Sequence, residues 1–373
     1  MLMRSHRAGT DRAGLRRRRT AIAASVAAVA ASAVLTAGQH TAAAAPTSPA
    51  AVAACTIHNP VVAGADPSVW YANGLYYLVQ SDGARSINLR SSSTVGGLGS
   101  AAPRTIWTSP TGTDHSAETW APEIEQLNGK WIVYFAAATD KGGDPATNNT
   151  HRIFAITSTS ADPMTGWSFF GKIVDSTNQW SIDPTVFSYN GSWWMLWSGT
   201  PTNNGGSAPQ QIYIAHMSDP LHIDQDYRRL IANPDQSWET SVAAIEEGPE
   251  AFIGPNNTLT ILFNSNASWT NSYGLGELLY HGGDLTTYTS YTKRGPVFSS
   301  ANGVYGPGGE SLPVPGKYGG GWFIYHGNPS SSGGWNGRQL YAQPQTWNAD
   351  GTPNFGSAPA GAVSFDENTG QRC

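Results

Sequence analysis

The chain has 373 residues, a formal net charge of −5 and only 13% charged residues, while Gly (42), Trp (14) and Tyr (15) are abundant. That composition suits many short strands joined by tight turns better than long solvated helices, so an all-β fold is expected. No HExxH, phosphate-binding P-loop, GxSxG or CxxC pattern occurs, which sets aside metalloprotease, nucleotide, serine-esterase and thiol-redox chemistry.

Residues 1–45 read as an export signal: Arg16 to Arg19 form a basic region, Thr20 to Ala37 an uncharged Ala/Val-rich core, and Ala42 to Ala45 supply small residues for cleavage. The apolar run is too short and too rich in Ala for a membrane anchor. Its removal takes away seven of the 21 basic and one of the 26 acidic residues, leaving 14 against 25 and a net charge of −11. Such a surface does not attract nucleic acid or anionic membrane, whereas a neutral polysaccharide is indifferent to it. Residues 46–54 are an Ala/Pro/Ser linker. Cys55 and Cys373, the two cysteines, stand at opposite ends of the remaining chain and are expected to form a disulfide that staples the termini.

Prolines then mark a repeat. Pro67, Pro122, Pro184, Pro249 and Pro307 are separated by 55, 62, 65 and 58 residues. Asn73-Gly74, Asn128-Gly129 and Asn190-Gly191 each begin six residues after their proline, Asn256-Asn257 seven after, and the fifth unit has PGKYGGG instead. Each turn is followed by a buried-type strand: LYYLV, KWIVYF, SWWMLW, LTILF and WFIYH. These runs lack clean alternation, so both faces of their sheets are expected to be covered. More polar segments follow in each unit, SINLRSSS, HRIFAITSTS, QQIYIAHMS, YGLGELLYH and GRQLYAQPQTW, and suit the middle or rim of a sheet. Self-similarity at this period with about four strands per unit predicts a five-bladed β-propeller over residues 55–373.

The innermost strand of a blade begins near the axis, so residues in the same phase converge at one pole. Asp66, Asp183 and Glu247 are acidic in that phase, whereas Asp144, Asp162 and Asp219 precede prolines outside it and read as loop residues. Glu246, Glu250 and Glu123 are rivals for the third position; adjacent strand residues face opposite ways, so Glu246 and Glu247 cannot both face the axis, and alternation alone does not choose between them.

The segments ADPSVWYANGLYYL, ETWAPEIEQLNGKWIVYFAA, SIDPTVFSYNGSWWMLWSG, EEGP and IYHGN resemble the successive blade motifs of glycoside hydrolase family 43, from about Ala65 to Gly356. The resemblance implies an inverting glycosidase with Asp66 as general base, Glu247 as general acid, and Asp183 as the carboxylate that tunes and orients the acid. By this expectation Asp183 keeps Glu247 protonated through like-charge repulsion. Trp120 is either a sugar-stacking platform or a residue packed between blades. Arg338 resembles the sugar-contacting arginine of the last blade, and His326 the histidine that reaches a cation in the central channel of many members.

NSNASWTNSYGLGEL and VYGPGGES are closer to the exo-acting arabinofuranosidases of the family, which implies a secreted, monomeric enzyme releasing α-L-arabinofuranosyl residues from arabinan, arabino-oligosaccharides or arabinoxylan. β-Xylosidase and endo-1,5-α-L-arabinanase are the rivals within the family, and a non-catalytic carbohydrate-binding propeller is the rival of another class. The β-fructosidases share such a propeller, but their first blade reads Asn-Asp-Pro-Asn-Gly where this chain has Ala-Asp-Pro-Ser-Val. No cofactor is required by this chemistry, and a structural calcium or sodium ion in the channel is the metal the resemblance allows.

Overall fold

The computed structural model describes residues 55–205, 209–224 and 228–373. The export signal and linker expected over residues 1–54 lie outside the described residues. Asn at the first turn position and Gly at the second both take left-handed backbone, with φ of 53° and 79° at Asn73-Gly74, 49° and 75° at Asn128-Gly129 and 52° and 81° at Asn190-Gly191. That is the type I′ geometry whose twist matches paired strands, and it joins Ala72 to Leu75, Leu127 to Lys130 and Tyr189 to Ser192 as hairpins.

Five sheets result. Blade I runs outward through Ser68–Ala72, Leu75–Ser81, Ser86–Ser92 and Arg104–Thr108; blade II through Ala117–Leu127, Lys130–Ala138, Arg152–Ser158 and Ser168–Ile173. Blade III has Ser181–Tyr189, Ser192–Gly199 and Gln211–Asp219, with its rim split between His222–Ile223 and Arg229–Ala232. Blade IV has Glu246–Ile253, Leu259–Ser265, Gly274–Tyr280 and Tyr291–Phe298. Blade V has a broken inner strand, Tyr305–Gly308 and Val314–Pro315, followed by Gly321–Asn328 and Gln339–Trp347.

The second strands explain why the sequence runs do not alternate. Side chains still point to opposite faces, but a neighbouring blade covers each face: Tyr76 and Leu78 pack with Trp322 and Ile324 of blade V, while Tyr77 and Val79 pack with Trp131 and Val133 of blade II. The same arrangement buries Tyr134 with Met195 between blades II and III, Leu196 with Phe263 between III and IV, and Leu262 with Phe323 between IV and V. The ring is closed by a strand as well as by the disulfide. Val62–Ala63 pairs with Gln339–Trp347 as the outermost strand of blade V, Ile57–His58 pairs with Ser364–Phe365, and Cys55 is bonded to Cys373 with their Cα atoms 6.2 Å apart. Two-residue strands carry no periodic signal, and the sequence repeat assigns none there.

The phase prolines have a common backbone device. The residue before each one, Asp66, Ala121, Asp183, Gly248 and Gly306, has φ of 44°, 39°, 53°, 55° and 55°. Pairing slips at this point in four blades, between Trp120 and Glu123, Ile182 and Thr185, Glu247 and Glu250, and Tyr305 and Gly308. Such bulges re-aim side chains next to functional sites, and here they turn the start of each inner strand toward one pole.

Candidate active site

At that pole lies a cavity of about 990 Å³, to which blades I to V contribute Asp66, Trp120, Asp183, Glu247 and Arg338 in turn. Asp66 and Asp183 occupy the left-handed position itself. In blade IV that position is Gly248, and Glu247 precedes it by one residue. Glu246 points the other way: it is fully buried, and its carboxylate accepts Lys293 Nζ at 2.6 Å, beside Glu239 on the same ammonium at 3.0 Å. The alternation that left the two glutamates equivalent in sequence is thereby resolved in favour of Glu247.

Asp66 has cationic and polar support. Arg338 Nη1 stands 3.3 Å from its Oδ1, and His326 Nδ1 lies 3.2 Å from the same oxygen while accepting the Asp66 backbone N–H at 3.2 Å. Burial alone would raise this carboxyl, but the Arg338 guanidinium and His326 outweigh it and hold Asp66 well below the usual carboxylate range.

Glu247 is treated oppositely. Burial first, and then the charge of Asp66, push its carboxyl up to about 7, against the Tyr273 hydroxyl, which donates to its Oε1 at 2.8 Å. Asp183 is itself raised, by burial and then by Glu247 and Asp66, and its Oδ2 accepts the Gly248 N–H at 3.0 Å. The expectation that repulsion from Asp183 is what raises Glu247 therefore changes: desolvation leads, and Asp183 holds the backbone turn next to Glu247. A protonated carboxyl and an ionised one facing a single cavity can together supply a general acid and a general base.

Trp120 both packs and lines the cavity. Its ring stacks on His151 at 4.0 Å and rests against Trp180 and Ile182. Arg338 serves Asp66, with its Nε donating to the Trp335 carbonyl at 3.2 Å. His326 stands beside Asp66. It is fully buried and stacked parallel to Tyr273 at 5.9 Å, and burial together with Arg338 keeps it neutral. Its Nε2 is buried and has no hydrogen-bond partner among the described residues. Among the described residues no group of three His, Cys, Asp or Glu side chains is arranged to hold a metal ion.

Thr185 Oγ1 lies 2.7 Å from Glu123 and 3.3 Å from Glu250. One hydroxyl proton cannot satisfy two carboxylates. Burial pushes Glu123 up to about 7, and burial with the charges of Glu123 and Glu310 raises Glu250 well above its ordinary value.

The sequence reading missed Tyr273, Asn264 and Ser268. Asn264 Nδ2 donates to the Gly248 carbonyl at 3.2 Å, and its Oδ1 accepts the Gly309 N–H at 2.8 Å, tying blade IV to blade V across the site. Ser268 lines the same cavity and acts to lower the Glu247 carboxyl. All three lie in or beside the segment NSNASWTNSYGLGEL, but nothing in their spacing marks them, because their roles arise from contacts between strands.

The sequence profile of Glycosyl hydrolases family 43 matches residues 57–353. An extracellular exo-α-(1→5)-L-arabinofuranosidase of Streptomyces avermitilis is 34% identical over 364 residues, covering 93% of this chain and 72% of that protein. One of the same description from Streptomyces chartreusis is 31% identical over 270 residues, covering 69% of this chain and 77% of that protein. Among solved structures, an α-L-arabinofuranosidase from Lactobacillus brevis superposes with a TM-score of 0.75 at 31% identity, covering 82% of this chain and 98% of that one.

Proposed function

The chain belongs to glycosyl hydrolase family 43, and on that premise we propose that it is an exported, inverting α-L-arabinofuranosidase whose base is Asp66 and whose acid is Glu247. The observation that carries the reading is the opposed treatment of these two carboxyls, one held ionised by Arg338 and His326 and the other raised to about 7 in the same cavity.

In this mechanism Asp66 takes a proton from a water, and that water attacks the anomeric carbon from one face. The glycosidic bond breaks on the other face, its electron pair goes to the leaving oxygen, and Glu247 gives that oxygen its proton. Asp183 acts through Gly248: it fixes the turn that presents Glu247. Arg338 and His326 keep Asp66 from taking up a proton before substrate arrives. The extracellular names of two relatives support export through the leader read in residues 1–45.

The test is a side-by-side assay of nitrophenyl α-L-arabinofuranoside, nitrophenyl β-xyloside and debranched arabinan, with the anomer first released followed by NMR. Arabinose released from chain ends with inverted configuration is the expected result. Internal cutting of arabinan with neither glycoside hydrolysed would replace exo action by endo, and xylose release alone would replace the sugar.

A further inference from the structure

Of the 14 tryptophans, Trp269 and Trp335 are the two that stand exposed, at 43% and 56%. They come from different blades. Trp269 lies in the loop between Leu259–Ser265 and Gly274–Tyr280 of blade IV, and Trp335 opens a short 3-10 turn between Gly321–Asn328 and Gln339–Trp347 of blade V. Their rings nevertheless meet edge to face, 5.2 Å between centroids at 69°, and both line the catalytic cavity.

Leaving two large rings in water is unfavourable unless something covers them in use. Their wiring indicates what that is. Trp335 Nε1 donates to Ser268 Oγ at 3.0 Å, and Ser268 lines the cavity with Glu247 and helps to lower its carboxyl, so the pair sits on the side of the acid. The Trp335 carbonyl also accepts Arg338 Nε, which fixes its backbone relative to the cation on Asp66. In an inverting hydrolysis the acid marks the side from which the leaving group departs. A rigid aromatic surface there meets the C–H face of the departing sugar, with low conformational cost because each Trp has two rotatable side-chain bonds.

We propose that Trp269 and Trp335 form the binding platform for the leaving-side sugar, so that the enzyme selects arabinose carried on another sugar over arabinose carried on a small group. The proposal rests on the arabinofuranosidase reading and specifies which part of the substrate these residues hold.

The test compares α-(1→5)-arabinobiose, which has a leaving sugar, with α-L-arabinofuranosyl fluoride, which has none. For Trp269→Ala, kcat/KM on the disaccharide should fall at least about tenfold, mostly through KM, while kcat/KM on the fluoride stays within about twofold. Trp269→Phe should recover most of the loss. Because Trp269 is exposed and touches neither carboxyl, an unchanged melting temperature is expected and is checked on the same samples. Equal losses on both substrates, or no loss on the disaccharide, would overturn the platform. Wild-type protein that hydrolyses neither compound would sink the arabinofuranosidase reading and this subsite with it.

Discussion

Asp66 and Glu247 are both carboxyls in one cavity, and their neighbours assign them opposite protonation states. Asp66→Asn and Glu247→Gln should each lower kcat by about 10²–10⁴-fold, and the two are separable by leaving group. A dinitrophenyl arabinoside needs little protonation, so it should restore much of the Glu247→Gln rate and none of the Asp66→Asn rate; equal recovery would reverse the assignment. The alkaline limb of the pH profile should report Glu247 near 7, because activity is lost as pH rises through the pKa of the acid. Tyr273 donates to the carboxyl and favours its ionised form, so Tyr273→Phe should move that limb upward. Asp183 is itself raised and acts through the Gly248 turn, so Asp183→Asn should lower kcat while leaving this limb in place; a limb unmoved by Tyr273→Phe would sink this account of the acid. The phase of the repeat made Asp66 and Asp183 legible in sequence. Glu247 needed the resemblance, because contacts between strands, Lys293 on Glu246 and Tyr273 on Glu247, are what distinguish the two adjacent glutamates.

Each inner strand starts from the same strained unit, a left-handed residue followed by proline. Gly supplies that conformation without steric cost in blades IV and V, and Asp tolerates it in blades I and III. Ala121 has no such excuse: its φ is 39°, and its methyl group forms no hydrogen bond. Ala121→Gly should therefore stabilise the protein by up to about 1 kcal/mol, since relief of about 1–2 kcal/mol of strain exceeds part of the glycine entropy cost. A denaturant midpoint that falls instead would mean that Ala121 is unstrained. The element scale was the most readable one, because prolines and Asn-Gly turns fix blade phase locally and the aromatic runs between them must be covered on two faces. What escaped were pieces defined by partners alone: the split rim of blade III, and Val62–Ala63, which becomes a strand only because blade V arrives to pair with it.

A propeller has no single core, and ring closure ties the five interfaces together. With 318 residues between Cys55 and Cys373, their disulfide removes a very long loop from the unfolded ensemble. Cys55→Ser with Cys373→Ser should cost about 2–5 kcal/mol, read as a lower denaturant midpoint; an unchanged midpoint would leave closure to the strand pairs alone. The ring also gathers buried acids along its axis, and these set a pH dependence. Burial raises Glu123 and Glu247 from an ordinary 4.5 to about 7, and Glu310 to about 8. Between 4.5 and those values the folded protein binds more protons than the unfolded chain does, so stability must fall as pH rises through this window. It is fully present below about 4.5 for these groups and lost above about 8, opposite in sign to the contribution of the depressed Asp66, whose loss occurs only in stronger acid. The melting temperature should drop by roughly 5 °C or more between pH 5.5 and 8.5. Glu310→Gln replaces the most raised of the three by a neutral group of the same shape. It should match wild type at pH 5.5 and melt higher at pH 8.5; a variant whose curve runs parallel to wild type would show that Glu310 does not titrate in this range.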